Sequence, residues 1–276
     1  MQFLIDTVRS WFTSEPLTLP KLEQSDKAFL NKTVSFYRGL PDADKQKFEQ
    51  RCQEFLYNTD IIGHQLEATQ EDKLLVASGS VILAWGFARW SYVAVDTVYF
   101  VPRSFNESSE FGKQDSNITG LVGTHHLSGK MILCQPALHQ GFNTDNDKRN
   151  VAIHEFAHLI DMADGDIDGL PRQLADQAYA LPWLALVQSK IDSINQGHSD
   201  IRDYGATNNA EFFSVATEYF FERPKLLKRR HPELYRALES FYKQNRADAK
   251  TSARIRKKAP CPCGSGKRYK RCCMAN

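Results

Sequence analysis

VAIHEFAHLI (151–160) carries two histidines four residues apart, His154 and His158, with Glu155 directly after the first. Its other members are apolar: Val151, Ile153, Phe156, Ala157, Leu159 and Ile160. The stretch therefore reads as a helix packed inside a protein, not as a charged surface turn. Residues four apart on an α-helix lie about 40° apart around the axis and roughly 6 Å along it, so both imidazoles can converge on one ion. Tetrahedral zinc accepts that geometry. Glu155 is placed to reach the ion's open position and take a proton from a water there, the work of a general base.

A catalytic zinc takes three protein ligands and leaves its fourth position open. Downstream, DYGATNNAEFFSVATEYFF (203–221) reads as a largely apolar helix over 208–221, with Glu211 and Glu218 seven apart on one face. Two acids on a buried face cost free energy unless they are paired or bound to metal. Either one can be the third ligand, leaving the other to hold a histidine's distal N–H. Asp161 and Asp164, just after His158, are further candidates for that holding role, although Asp164-Gly165 and Asp168-Gly169 equally read as plain turn formers. His125, His126 and His139 precede the site without helical pairing to a base and read as surface or loop histidines.

The 276 residues, 42% hydrophobic and 25% charged, describe a globular chain and exclude disorder, collagen and coiled coil. No run approaches the roughly 18 uninterrupted apolar residues of a membrane helix. The N-terminal MQFLIDTVRSWF is interrupted by Asp6 and Arg9, so it lacks a secretory core and the expected location is the cytoplasm. Helical spacing recurs over 3–12, 29–40, 48–57, 147–162, 170–194 with a break near Pro182, 208–221 and 232–246. The stretch 73–90 is apolar nearly all round and reads as a buried core helix. Strands are expected over 92–101 and 130–135, and 102–128, rich in Ser, Asn and Gly, as loop or irregular sheet. The fold class is α+β, mostly helical with a small sheet.

HEFAHLIDMADGDIDGLP (154–171), followed by YGATNNAEFFSVATEYFF (204–221), resembles the Mlc titration factor A family of bacterial zinc metallopeptidases. The catalytic part of that family is similar in fold to the anthrax lethal factor protease domain. The likeness covers most of 20–246 and implies a zincin-like metallopeptidase domain over 1–247. It implies that His154, His158 and Glu211 bind zinc, that Glu155 is the general base, and that Tyr204 steadies the oxyanion of the tetrahedral intermediate. It further implies aminopeptidase-like action on a peptide or protein. The alternative implied by the same likeness is a regulatory protein that sequesters the glucose-responsive repressor Mlc without cleaving it.

Charge and cysteine are both concentrated at the end of the chain. From Arg223 onward there are 17 Lys/Arg against 3 Asp/Glu, a charge of +14 set against −12 for positions 1–222. Cys261, Cys263, Cys272 and Cys273 surround the turn Gly264-Ser265-Gly266, four soft ligands that describe a closed, structural zinc site whose folding is coupled to the metal. The segment resembles the SEC-C motif found at the C-terminus of the SecA translocase ATPase. The expected organisation is thus 1–247 metallopeptidase, 248–259 basic linker and 260–276 zinc motif, with one catalytic and one structural Zn²⁺. The basic tail suits docking on an acidic protein or a ribosome. Direct nucleic-acid binding is the weaker reading, because a basic patch alone does not suffice for it. Cys52 and Cys134, isolated in apolar surroundings, read as buried or free thiols.

Overall fold

A helix that is apolar on every side has no face to give to water, and the stretch read that way over 73–90 forms a buried helix as far as Ala84, with 88–90 outside the described residues. The computed structural model describes residues 21–248 apart from 88–94, 107–112, 114–115, 124–127, 144–146, 173 and 175–176, together with residues 19, 268 and 271. The chain enters through helices α1 (Gln24–Thr33), α2 (Ser35–Arg38) and α3 (Asp42–Asn58), strand β1 (Asp60–Gly63) and helix α4 (Gln70–Ala84). Strands β2 (Thr97–Val101), β3 (Gly120–Val122) and β4 (Lys130–Cys134) follow. Helices α5 (Gln135–Asn143), α6 (Val151–Asp161), α7 (Gln177–Asn195), α8 (Asn209–Glu222), α9 (Pro224–Arg230) and α10 (Pro232–Tyr242) complete the chain. This is the expected mostly helical α+β class.

Every residue of α6 is buried, as is every residue of α4 from Leu74 to Ala84. Helix α6 packs against α4, α5 and α8 and under β3, which puts the histidine helix in the middle of the molecule. The α4–α6 crossing depends on small residues: a Cβ on Gly79 would lie 2.8 Å from the Cβ of Ala152. The four strands run in the order β1-β2-β4-β3, the first three parallel and β3 antiparallel at the edge, with Val98 opposite Met131 and Leu121 opposite Ile132. Cys52 and Cys134 are buried free thiols, as expected.

Several boundaries differ from expectation for local reasons. Pro182 does not break α7: it stands on an exposed side in the second turn, where its missing N–H forfeits one bond near the helix end. The same helix begins at Gln177 and not at 170. Before it the chain turns through Gly169 (φ +75°), whose carbonyl accepts from Trp183 Nε1 at 2.7 Å. Helix α10 stops at Tyr242, where Lys243 takes a left-handed conformation with φ +52°. Strand β3 falls within the 102–128 stretch read as loop or irregular sheet, whereas strand β1 and helix α5 were not anticipated. The expected helix over 3–12 lies outside the described residues. Among the described residues, no helix is long and apolar enough to cross a membrane.

Candidate metal centre

Two asparagine caps set the register of the site. The Asn150 side chain accepts the Ile153 N–H at 3.2 Å and starts α6, while Asn208 accepts the Glu211 N–H at 2.9 Å and starts α8. With α8 packed on α6, the first turn of one faces the middle of the other. One ligand atom each from His154, His158 and Glu211 then lies within 4.8 Å of the others. Glu211 Oε2 is 3.1 Å from His154 Nε2 and 3.5 Å from His158 Nε2, and the two Nε2 atoms are 3.2 Å apart.

His154 is oriented through its other nitrogen. Nδ1 lies 2.6 Å from Glu218 Oε1 and donates to it, which turns Nε2 toward Glu211 and His158 and leaves Nε2 as the nitrogen that can ligate an ion. Glu218, 2% exposed, also accepts the Asn150 N–H at 2.8 Å and pairs with Arg202. Burial works against a charged His154, yet Glu218 and Glu211 outweigh it and lift its pKa to about 10. Burial would likewise raise Glu211, but hydrogen bonds with His154 and His158 prevail and hold it well below the usual carboxylate range. The cluster thus demands positive charge at its centre. Two imidazole nitrogens and a carboxylate oxygen are the donors zinc takes, so the residues present fit that ion.

Glu155 (4% exposed) lies against the sheet's edge strand β3. A Cβ on Gly120 would fall 2.3 Å from Glu155 Oε1 and 2.7 Å from its Cδ and Cγ, so a larger residue here would force this carboxylate to shift. Burial raises the Glu155 pKa. Tyr204 sits in a 3-10 turn (Asp203–Ala206), half exposed, with its ring centroid 5.9 Å from that of His154. Burial, then Glu211, push its hydroxyl up to about 12. A cleft of about 340 Å³ opens here, walled by 117–120 before and within β3, by α5, by the start of α6 and by Tyr204.

The structure therefore brings together His154, Glu155, His158, Tyr204, Glu211 and Glu218. Neither Asp161 nor Asp164 holds a histidine: Asp161 accepts the Gly169 N–H at 2.8 Å, its pKa raised to about 6 by burial, and the exposed Asp164 accepts the Asp166 N–H at 3.4 Å, the turn-forming alternative. His158 Nδ1 is buried without a hydrogen-bond partner among the described residues. His139 is also not a loop residue: it lies on α5, its Nε2 2.6 Å from Asp72 Oδ1, and so ties α5 to the start of α4. His125, His126, Cys261, Cys263, Cys272 and Cys273 lie outside the described residues. Arg202, Gly120 and Asn150 had not been singled out. Of these only Asn150 left a readable signal, a capping residue directly before an apolar helix.

Known proteins resemble this chain in sequence over most of its length. The family model of the glucose-regulated metallo-peptidase M90 matches residues 8–243, and the SEC-C motif matches residues 258–275. Mlc titration factor A of Pectobacterium atrosepticum is 34% identical over 254 residues, covering 85% of this chain and 91% of the relative. Its counterpart from Cronobacter sakazakii is 27% identical over 223 residues, 77% and 83% of the two chains. An uncharacterized protein of Synechocystis sp. is 29% identical over 227 residues, 78% and 82%. The family match takes in both helices of the histidine cluster and the strand over Glu155. The chain belongs to the glucose-regulated metallo-peptidase M90 family and carries a SEC-C motif after it.

Proposed function

We propose that the protein is a zinc-dependent peptidase whose ion is held by His154, His158 and Glu211. The observation that carries this reading is the convergence of those three donors beside a buried glutamate at the wall of an open cleft. Bound there, zinc supplies Lewis acidity, making a water nucleophilic at neutral pH and drawing charge from the scissile carbonyl. Glu155 accepts the proton of the attacking water and returns it to the leaving amine, a task for which a carboxylate pKa raised by burial is suited. The Tyr204 hydroxyl donates to the carbonyl oxygen as negative charge builds on it. Glu218 is not a ligand in this reading but fixes the tautomer and direction of His154.

The family likeness adds an aminopeptidase-like preference, a cytoplasmic setting and a division into a peptidase domain (1–247), a linker (248–259) and a tail motif (260–276). In that motif Cys261, Cys263, Cys272 and Cys273 hold a structural zinc, and the lysines and arginines around them, Lys267, Arg268, Lys270 and Arg271 among them, offer positive charge to an acidic protein or a ribosome. The test is Glu155→Gln. It should keep its zinc and lose peptide cleavage by at least about 100-fold, the lower end of what a general base contributes. Cleavage at the wild-type rate would overturn the mechanism. The relatives named Mlc titration factor A favour a second role, capture of the Mlc repressor. Retention of purified Mlc by Glu155→Gln would separate that role from catalysis.

A further inference from the structure

The cleft has a second chemistry away from the three donors. Asn117, Gln140, Arg149 and Arg202 wall that part, and Ile118 and Val151 are its larger apolar groups. Such a wall offers hydrogen bonds and positive charge but little area for a hydrophobic side chain. Two carboxylates line the cleft among the described residues, Glu155 and Glu218. Glu218 is taken up by His154, Arg202 and the Asn150 N–H, so the charge of Arg202 is already balanced. Arg149 is different. It is exposed, directly precedes Asn150, and has no ion pair among the described residues.

Arg149 stands just ahead of Asn150, the cap of α6, and lines the same cleft as His154 and Glu155. A group gripped by the Arg149 fork therefore lies in the cleft that holds the bond attacked, within a few residues of it along an extended peptide that advances roughly 3.3 Å per residue. We propose that Arg149 forms a carboxylate-binding subsite, so that the substrates taken best carry an acidic group close to the scissile bond. The proposal rests on the peptidase reading and goes beyond it by naming a substrate class. A guanidinium can grip a carboxylate through two parallel hydrogen bonds, and such charge-assisted bonds are among the stronger ones available at a surface. The carboxylate can come from an Asp or Glu side chain or from a free C-terminus.

The experiment uses the full-length protein and matched peptides carrying Glu or Gln at each position flanking the cleaved bond, each made as the free acid and as the amide. Fluorescence anisotropy with zinc-loaded Glu155→Gln reads binding, and kcat/KM of the wild-type chain reads turnover. The better acidic peptide should be favoured about ten-fold, the worth of one hydrogen bond to a charged group. Arg149→Gln in either background should bring that ratio to about two-fold or less, and added salt should shrink it, since the group is exposed. A Glu-over-Gln preference that survives in the amides assigns a side chain, whereas a preference for free acids alone assigns the terminal carboxylate. Cleavage without any acidic preference, or with one that Arg149→Gln leaves intact, overturns the subsite and spares the peptidase reading. Failure of the wild-type chain to cleave any peptide overturns both.

Discussion

Glu218 has no place in the cluster of three donors, yet three groups depend on it: the His154 ring, the Asn150 N–H that opens α6, and Arg202. Its replacement should separate holding from ligation. Glu218→Gln should weaken zinc binding by about 10- to 100-fold, the usual cost of losing the partner behind a histidine ligand. Glu211→Gln should cost more, because it removes a donor itself. Competition with a chelating dye measures both; equal losses would mean that the two acids have the same role. Gly120 makes the complementary case. Gly120→Ala places a Cβ 2.3 Å from Glu155 Oε1, none of the three donors being among its nearest atoms, so zinc content should hold while kcat falls. Displacing a reacting group by about 1 Å can cost around 100-fold. A fall in zinc content equal to the fall in kcat would contradict that separation.

Between elements, Asp200 ties three parts of the fold together outside the cleft. Its carboxylate meets Lys148 Nζ at 2.9 Å, Tyr219 Oη at 2.7 Å and His231 Nε2 at 2.8 Å, joining the approach to α6, the body of α8 and the junction of α9 with α10. Burial opposes the charged form, but the hydrogen bonds from Tyr219, Lys148 and His231 prevail and hold its pKa well below the ordinary range. A folded value below the unfolded one means stability that is fully present above about pH 4 and lost as pH falls through the folded value. Asp200→Asn should therefore lower Tm at neutral pH, by the equivalent of about 1–3 kcal/mol for partners left short of a charged acceptor. It should also flatten the acid side of the Tm–pH curve below about pH 4, and a variant curve parallel to the wild type would refute this role. Helices α6 and α8 were legible in the sequence because their apolar pattern is local and each begins with an asparagine. Strand β1 is four residues long and β3 three, while α5 starts directly where β4 ends, so pairing partners distant in sequence define them. The same limit hid Gly120 over Glu155 and Arg202 under Glu218, contacts that no spacing announces, whereas the histidines and Glu155 share one helical turn and could be read at once.

At the scale of the molecule, the question is where the peptidase body ends and whether the tail binds metal independently. Beyond α10 the chain stays attached: Gln244 Nε2 donates to the Ile82 and Leu83 carbonyls at 2.9 and 3.3 Å, and the Ala247 N–H to Tyr235 Oη at 2.9 Å. Asp248 closes this run, accepting from Lys228 and Asn245. A chain ending at Asp248 should therefore fold with a Tm close to that of the full protein. One ending at Tyr242 removes these partners; the Ile82 carbonyl keeps the Trp85 N–H and the Tyr235 hydroxyl keeps Glu239, but the Leu83 carbonyl loses its Gln244 bond, and the truncated chain should lose roughly 1–3 kcal/mol. Metal content then tests both centres together. If the tail cysteines close one tetrahedral site and the helices another, the full chain carries two zinc ions, the Asp248 truncation one, His154→Ala one, and the double variant none. Two ions retained after truncation would remove the tail from the metal chemistry. Two retained in His154→Ala would mean that the cluster on α6 and α8 does not bind zinc, and the peptidase mechanism would fall with it, leaving capture of a partner protein as the reading that survives.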